Sequence, residues 1–119
     1  MSKLYNIQYS NGITKITFFE KPTFEEAQHA IDDVAENYPY EKRLWNLSES
    51  NFNFTHQEII NISRYGKSKF IKKNKMGIVA TDVLVYGQMR QLMVYRKEED
   101  KSDICVFKTE KEAITWLNQ

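Results

Sequence analysis

Thr23-x-x-Glu26, Thr55-x-x-Glu58 and Thr109-x-x-Glu112 repeat one short pattern along a chain of 119 residues. In such a capping box the threonine oxygen accepts from an otherwise unpaired amide, and the glutamate reaches back to the N–H of the cap residue. Each box precedes apolar residues at helical spacing, so each marks a helix start. After Thr23, the residues Phe24, Ala27, Ile31, Val34, Ala35 and Tyr38 line one face of a helix that ends before Pro39. The acids Glu25, Glu26, Asp32, Asp33 and Glu36 take its other faces. Thr55 opens a helix reaching about Phe70, and Thr109 opens one over Glu110 to Leu117. Asp82 is placed to cap a further helix over Val83 to Arg96.

Strand signals fill the gaps between these helices. Leu4 to Tyr9 and Ile13 to Phe19 are rich in β-branched and aromatic residues, and Asn11-Gly12 between them supplies the positive φ of a tight hairpin. Arg43 to Leu47 is a short strand, followed by a loop over Ser48 to Phe54. Met76 to Ala80 and Ile104 to Phe107 are apolar runs without alternation, as in parallel strands covered on both faces. The expected architecture is α/β: an N-terminal hairpin, then alternating helices and mainly parallel strands in one mixed sheet, joined by right-handed crossovers. Length favours a single domain over residues 1–119.

A formal charge of +1 gives no global attraction to nucleic acid or to an anionic membrane. Charge is nevertheless uneven, because residues 64–75 carry Arg64, Lys67, Lys69, Lys72, Lys73 and Lys75 with no acid among them, whereas residues 20–41 carry seven acids against one lysine. No segment approaches the ~20 apolar residues of a membrane span, and the start of the chain lacks a signal peptide's apolar stretch. The single cysteine, Cys105, sits in an apolar run and is expected to be a small buried hydrophobe, which fits a reducing cytoplasm.

Several segments together resemble the SpoIIAA-like family of small bacterial proteins, related to the STAS domains of sulfate transporters and anti-sigma factor antagonists. They are the Asn11-Gly12 hairpin, the run Pro22-Thr23-Phe24-Glu25-Glu26, the stretch Arg43 to Ser48, the segment Tyr65 to Phe70, and Val106 to Glu110 with Ala113, Trp116 and Leu117. The resemblance implies a non-enzymatic α/β domain that acts by binding. In the antagonists a serine in an Asp-Ser-Ser-Gly-like motif is phosphorylated to switch off partner binding. The corresponding region here reads Asn46-Leu47-Ser48-Glu49-Ser50-Asn51, without the aspartate and the glycine, so that switch is not inherited by match. Ser48 is nearest to it by position and Thr55 by role.

Gly66-Lys67-Ser68 invites comparison with a phosphate-binding loop, but the first glycine of that motif would fall at position 61, which is Asn61. The triplet also lies toward a helix end, where backbone carbonyls repel anions. Two readings of the basic segment stand. Cations near a helix C-terminus complement its dipole by roughly 0.3–1 kcal/mol each when exposed, or the segment is a docking patch for an acidic partner. Tyr65 and Phe70 interleave with the bases, which is thin support for nucleic-acid binding. His29 is spaced for a surface ion pair with Asp33, and His56 is expected to point to solvent. No catalytic residue, metal ligand set or cofactor motif emerges.

In open α/β sheets ligands collect beyond the carboxyl ends of the strands. That rule gathers Asn46, Ser48, Thr55, Thr81, Asp82 and Thr109 around one rim, with Phe52 and Phe54 beside it as apolar contacts, although capping already accounts for three of the threonines. On the third helix Val85, Met89, Leu92 and Met93 suit a core, leaving Leu84, Val94 and Tyr95 as a surface for homodimerisation. Two functions from different classes follow. The first is a cytosolic regulatory module that recognises another protein, its basic segment steering the encounter. The second is a carrier or sensor of a small hydrophobic or anionic molecule held at the rim.

Overall fold

The hairpin at the start of the chain joins β1 (Tyr5–Ser10) to β2 (Ile13–Glu20), with Asn11 and Gly12 both at positive φ, 52° and 79°. Positive φ at both central turn residues matches the right-handed twist of the flanking strands, as the Asn-Gly pair requires. From there the chain alternates: α1 (Phe24–Asn37), β3 (Lys42–Ser50), α2 (His56–Lys69), β4 (Lys75–Val79), α3 (Val83–Glu99), β5 (Asp103–Phe107) and α4 (Glu110–Leu117). This computed structural model describes residues 4–51, 53–70, 74–99 and 103–119. The five strands form one mixed sheet in the order β1-β2-β3-β4-β5, antiparallel at the hairpin and parallel thereafter.

Strand alternation divides the core in two. Ile16, Phe18, Trp45, Leu47, Met76, Ile78, Ile104 and Val106 face a layer made by α1, α2 and α3. Ile13, Leu44 and Val79 face the opposite way, against Ala113 and Leu117 of α4. β4, between β3 and β5, is buried on both faces, which explains its unbroken apolar run, whereas β5 at the sheet edge alternates. Cys105 is accordingly half-buried on that edge rather than sealed in the core, and it is a free thiol.

The helix starts obey the local code closely. Thr23 and Thr55 form complete capping boxes with Glu26 and Glu58. Asp82 caps α3, its Oδ1 accepting from the amides of Leu84 at 2.9 Å and Val85 at 3.1 Å. The third box is one-sided: Thr109 accepts from the Glu112 amide, but Glu112 takes the threonine hydroxyl at 2.8 Å instead of a backbone N–H. β3 is longer than its apolar run and takes in Ser48, expected in the loop, because pairing with β2 continues as far as Ser50.

Candidate functional site

The carboxyl ends of the strands form the expected rim, and its polar side chains are largely occupied by the backbone. Thr55, Asp82 and Thr109 serve as caps. Asn46 is buried, and its Oδ1 accepts from both the amide and the hydroxyl of Ser48, at 3.0 and 2.7 Å. Thr81 is exposed. Phe54 is buried and belongs to the core, not to the surface, while Phe52 lies outside the described residues. Gln88 of α3 ties down the loop before α2, its amide pairing with the N–H and C=O of Phe54 at 3.3 and 3.1 Å. The first turn of α3 presents Val83 and Leu84 to solvent at this rim, 88% and 58% exposed.

The basic segment does not form one patch. Lys69 pairs with Asp32 of α1 at 3.4 Å, and Tyr65 donates to the same carboxylate at 2.5 Å. Each group's own bond to the Asp32 carboxylate is the main reason that the Tyr65 phenol and the Lys69 ammonium are held above their ordinary pKa. Lys75 points to the other face of the sheet, where its Nζ donates to the Trp116 carbonyl at 2.5 Å and sits over the indole. Arg64 and Lys67 are exposed, and Lys72 and Lys73 lie outside the described residues. Gly66 is buried in the last part of α2 and is not part of a phosphate loop. A Cβ there would lie 2.6 Å from Nη1 of Arg96, so glycine is what lets α2 and α3 close around that guanidinium.

The proposed dimer surface is similarly divided. Leu84 and Val94 are both exposed but ten positions apart, about 15 Å along the helix axis. Tyr95 packs partly on the core and its hydroxyl lies 2.9 Å from Nε2 of His56, so His56 is exposed yet engaged across α2 and α3. Asp33 accepts from Tyr5 at 3.2 Å and from Asn37 at 2.8 Å. Burial, then the nearby Asp33 charge, pushes the Tyr5 phenol up to about 12. Among the described residues no three of His, Cys, Asp and Glu gather as metal ligands, and no helix is long and apolar enough to cross a membrane.

What the sequence did not single out lies beneath α2 and α3. A cavity of about 70 Å³ is walled by apolar side chains including Phe18, Trp45, Leu47, Phe54, Phe70 and Met89, with Arg96 as its charged member. Arg96 is only 3% exposed, and Arg43 on the adjoining strand only 2%. The Arg43 guanidinium stacks on Phe70, 3.7 Å from the ring centroid. Burial, reinforced by the like charge of Arg96, pushes Arg43 down to about 9. It therefore stays charged at neutral pH, at a cost. A signal existed: Val85, Met89, Leu92 and Arg96 form one buried stripe of α3, so the helical period that marks the core residues also points Arg96 inward.

No family model matches the sequence, and no curated protein does. Solved structures are informative. An uncharacterised protein of the DUF3478 family from Shewanella loihica PV-4, described as having a SpoIIAA-like fold, superposes with a TM-score of 0.59 at 15% identity, over 95% of this chain and 91% of that one. This chain has the SpoIIAA-like fold. The anti-sigma factor antagonist SpoIIAA in its unphosphorylated form is similar too, with a TM-score of 0.54 at 12% identity over 96% and 97% of the two chains. At such identities the SpoIIAA-like likeness concerns architecture, and the side-chain chemistry has to be read from this chain alone.

Proposed function

We propose that the chain is a non-enzymatic regulatory module that docks another protein at the carboxyl-end rim. The observation carrying this reading is the exposure of Val83 and Leu84 on the first turn of α3, beside Thr81 and the cap Asp82. Apolar side chains held out on a well-capped, rigid helix start lose little freedom on binding and gain from burial, by roughly 25 cal/mol per Å² of apolar area removed from water. SpoIIAA, by its name a factor that antagonises another protein, supports the same class of role. Thr55, Asp82 and Thr109 at the rim serve backbone amides, which suits a surface built for contact better than one built for bond making.

The basic segment has little part in this docking. Lys67 stands twelve positions after Thr55, about 18 Å along α2 and more than two Debye lengths at physiological salt. Contact at the rim therefore relies on Val83 and Leu84, with Ser48, Thr81 and Asp82 as its polar border. Self-association through Leu84 and Val94 is the competing use of α3, and a light-scattering mass of one chain at micromolar concentration would leave the rim to a different partner.

A photo-crosslinking residue placed at Val83 in living cells tests the reading, with the same residue at exposed Lys111 on α4 as the comparison. The expected result is a crosslinked protein specific to position 83 that is lost when Leu84→Glu is added. Identical crosslinks at both positions would overturn it.

A further inference from the structure

The sheet has two edges, and they are finished differently. β5 opens on Asp103 and contacts both α3 and α4, so its short edge is flanked by helices. β1, at the other edge, reads Tyr-Asn-Ile-Gln-Tyr-Ser, with no charged residue and no proline, and its pairing with β2 runs without a bulge. Lysine, proline and bulges are common means of keeping an edge strand from pairing with another chain, and β1 carries none of them. Its hydrogen-bonded neighbour in the sheet is β2 alone among the described strands.

The hairpin determines which backbone groups face outward. The Phe19 amide donates to the Leu4 carbonyl at 2.9 Å, and the pairing continues in step to Ser10 opposite Ile13, across the two-residue turn. Bonded and non-bonded pairs alternate along an antiparallel ladder, so Asn6, Gln8 and Ser10 turn their N–H and C=O toward β2, while Ile7 and Tyr9 turn theirs away from the sheet. Among the described residues, nothing takes those outward groups of Ile7 and Tyr9. The same two residues carry apolar side chains on the face covered by α1. Ile7 packs against the main core, and the Tyr9 ring stacks on Tyr40 at 4.1 Å, the two tyrosines being 45% and 44% exposed.

We propose that β1 is a self-association edge, on which a second copy of the chain lays its own β1 antiparallel, so that one sheet runs through both copies. The two-fold axis passes at Gln8. Ile7 and Tyr9 of one copy exchange N–H···O=C bonds with Tyr9 and Ile7 of the other, and the two Gln8 residues face each other in the non-bonded pair between them, their Cα atoms about 4.5 Å apart. Self-complementarity is what favours a second copy as the occupant. Ile7 meets Tyr9 on the helix-covered face, Asn6 meets Ser10 on the other, and no charged side chain of β1 stands opposite its like. A formal charge of +1 leaves little repulsion between copies. α3 packs against β5 at the opposite edge, so this contact is separate from Val83 and Leu84 at the rim, and from Val94, and it does not depend on whether the rim has a partner.

The test is a charge swap at Gln8, an exposed side chain whose replacement leaves the backbone pairing with β2 intact. Light scattering and sedimentation equilibrium give the mass of wild type, Gln8→Lys, Gln8→Glu and Leu84→Glu across the micromolar range, and melting curves show that each is folded. Wild type and Leu84→Glu should both reach the mass of two chains. Gln8→Lys and Gln8→Glu each set like charges directly opposite and should weaken the dimer about fivefold or more, while mixing the two should restore a dimer holding one of each. A single-chain mass for wild type throughout that range, folded Gln8→Lys that dimerises as wild type does, a mixture of the two Gln8 variants no tighter than either alone, or loss of the dimer in Leu84→Glu would each overturn the proposal.

Discussion

Replacing Arg43 by methionine should make the unliganded protein more stable, although it deletes the most buried charge among the described residues. The displacement of Arg43 from its ordinary value down to about 9 corresponds to about 5 kcal/mol of penalty on its charged form. A base whose pKa is lowered by folding bears that penalty in full below the folded value, and relief comes only as pH rises above about 9. At pH 7 all of it is therefore present. Against this stands the stacking of the guanidinium on Phe70, worth about 1–2 kcal/mol when desolvated. Methionine fills much of the same space, and replacing buried charges by apolar residues elsewhere has gained about 1–4 kcal/mol. For 119 residues the unfolding entropy is about 0.25 kcal/mol per kelvin, so the melting temperature should rise by roughly 4–15 °C. Urea unfolding at pH 7 should show a higher midpoint at unchanged slope, while Arg64→Met on the exposed face of α2 stays within about 0.5 kcal/mol of wild type. A lower midpoint for Arg43→Met at unchanged slope would refute the reasoning, because it would mean the guanidinium has partners that stabilise it.

Thr55→Ala should cost about 1 kcal/mol by urea denaturation and Thr109→Ala less, since only the first of these boxes is complete. Gly66→Ala improves helix propensity by about 1 kcal/mol, while its Cβ would meet Arg96 Nη1, the far end of a long side chain beside the cavity, at 2.6 Å; the expected outcome is a net change within about 1 kcal/mol, and a loss of more than about 2 kcal/mol would show that Arg96 is held in place. Folding raises the Tyr5 phenol to about 12, so the stability it contributes is full below pH 10 and is lost as pH climbs through 12. Urea midpoints measured at pH 9 and pH 11 should therefore fall more in wild type than in Tyr5→Phe.

Interactions spanning a few residues were legible in advance. A cap, a box and an Asn-Gly turn each close within four positions, so Thr23, Thr55, Asp82 and Asn11-Gly12 announced their roles, and the order of strands and helices followed. Apolar periodicity likewise sorted the core, because burial of a stripe depends on helix or strand pitch and on little else. Distant pairings were a different matter. Lys75 and Lys69 are six positions apart in one basic run, but the sheet passes between them, sending one to Trp116 and the other to Asp32. His56 meets Tyr95, and Gln88 meets the Phe54 backbone, only because α2 and α3 lie side by side. Arg43 and Arg96 are separated by 53 positions, and either alone reads as an ordinary residue at an element's end. The chain's local code thus chose its elements and their order. Packing α2 and α3 onto β3 decided which charges are denied water, and that is where this molecule's chemistry resides.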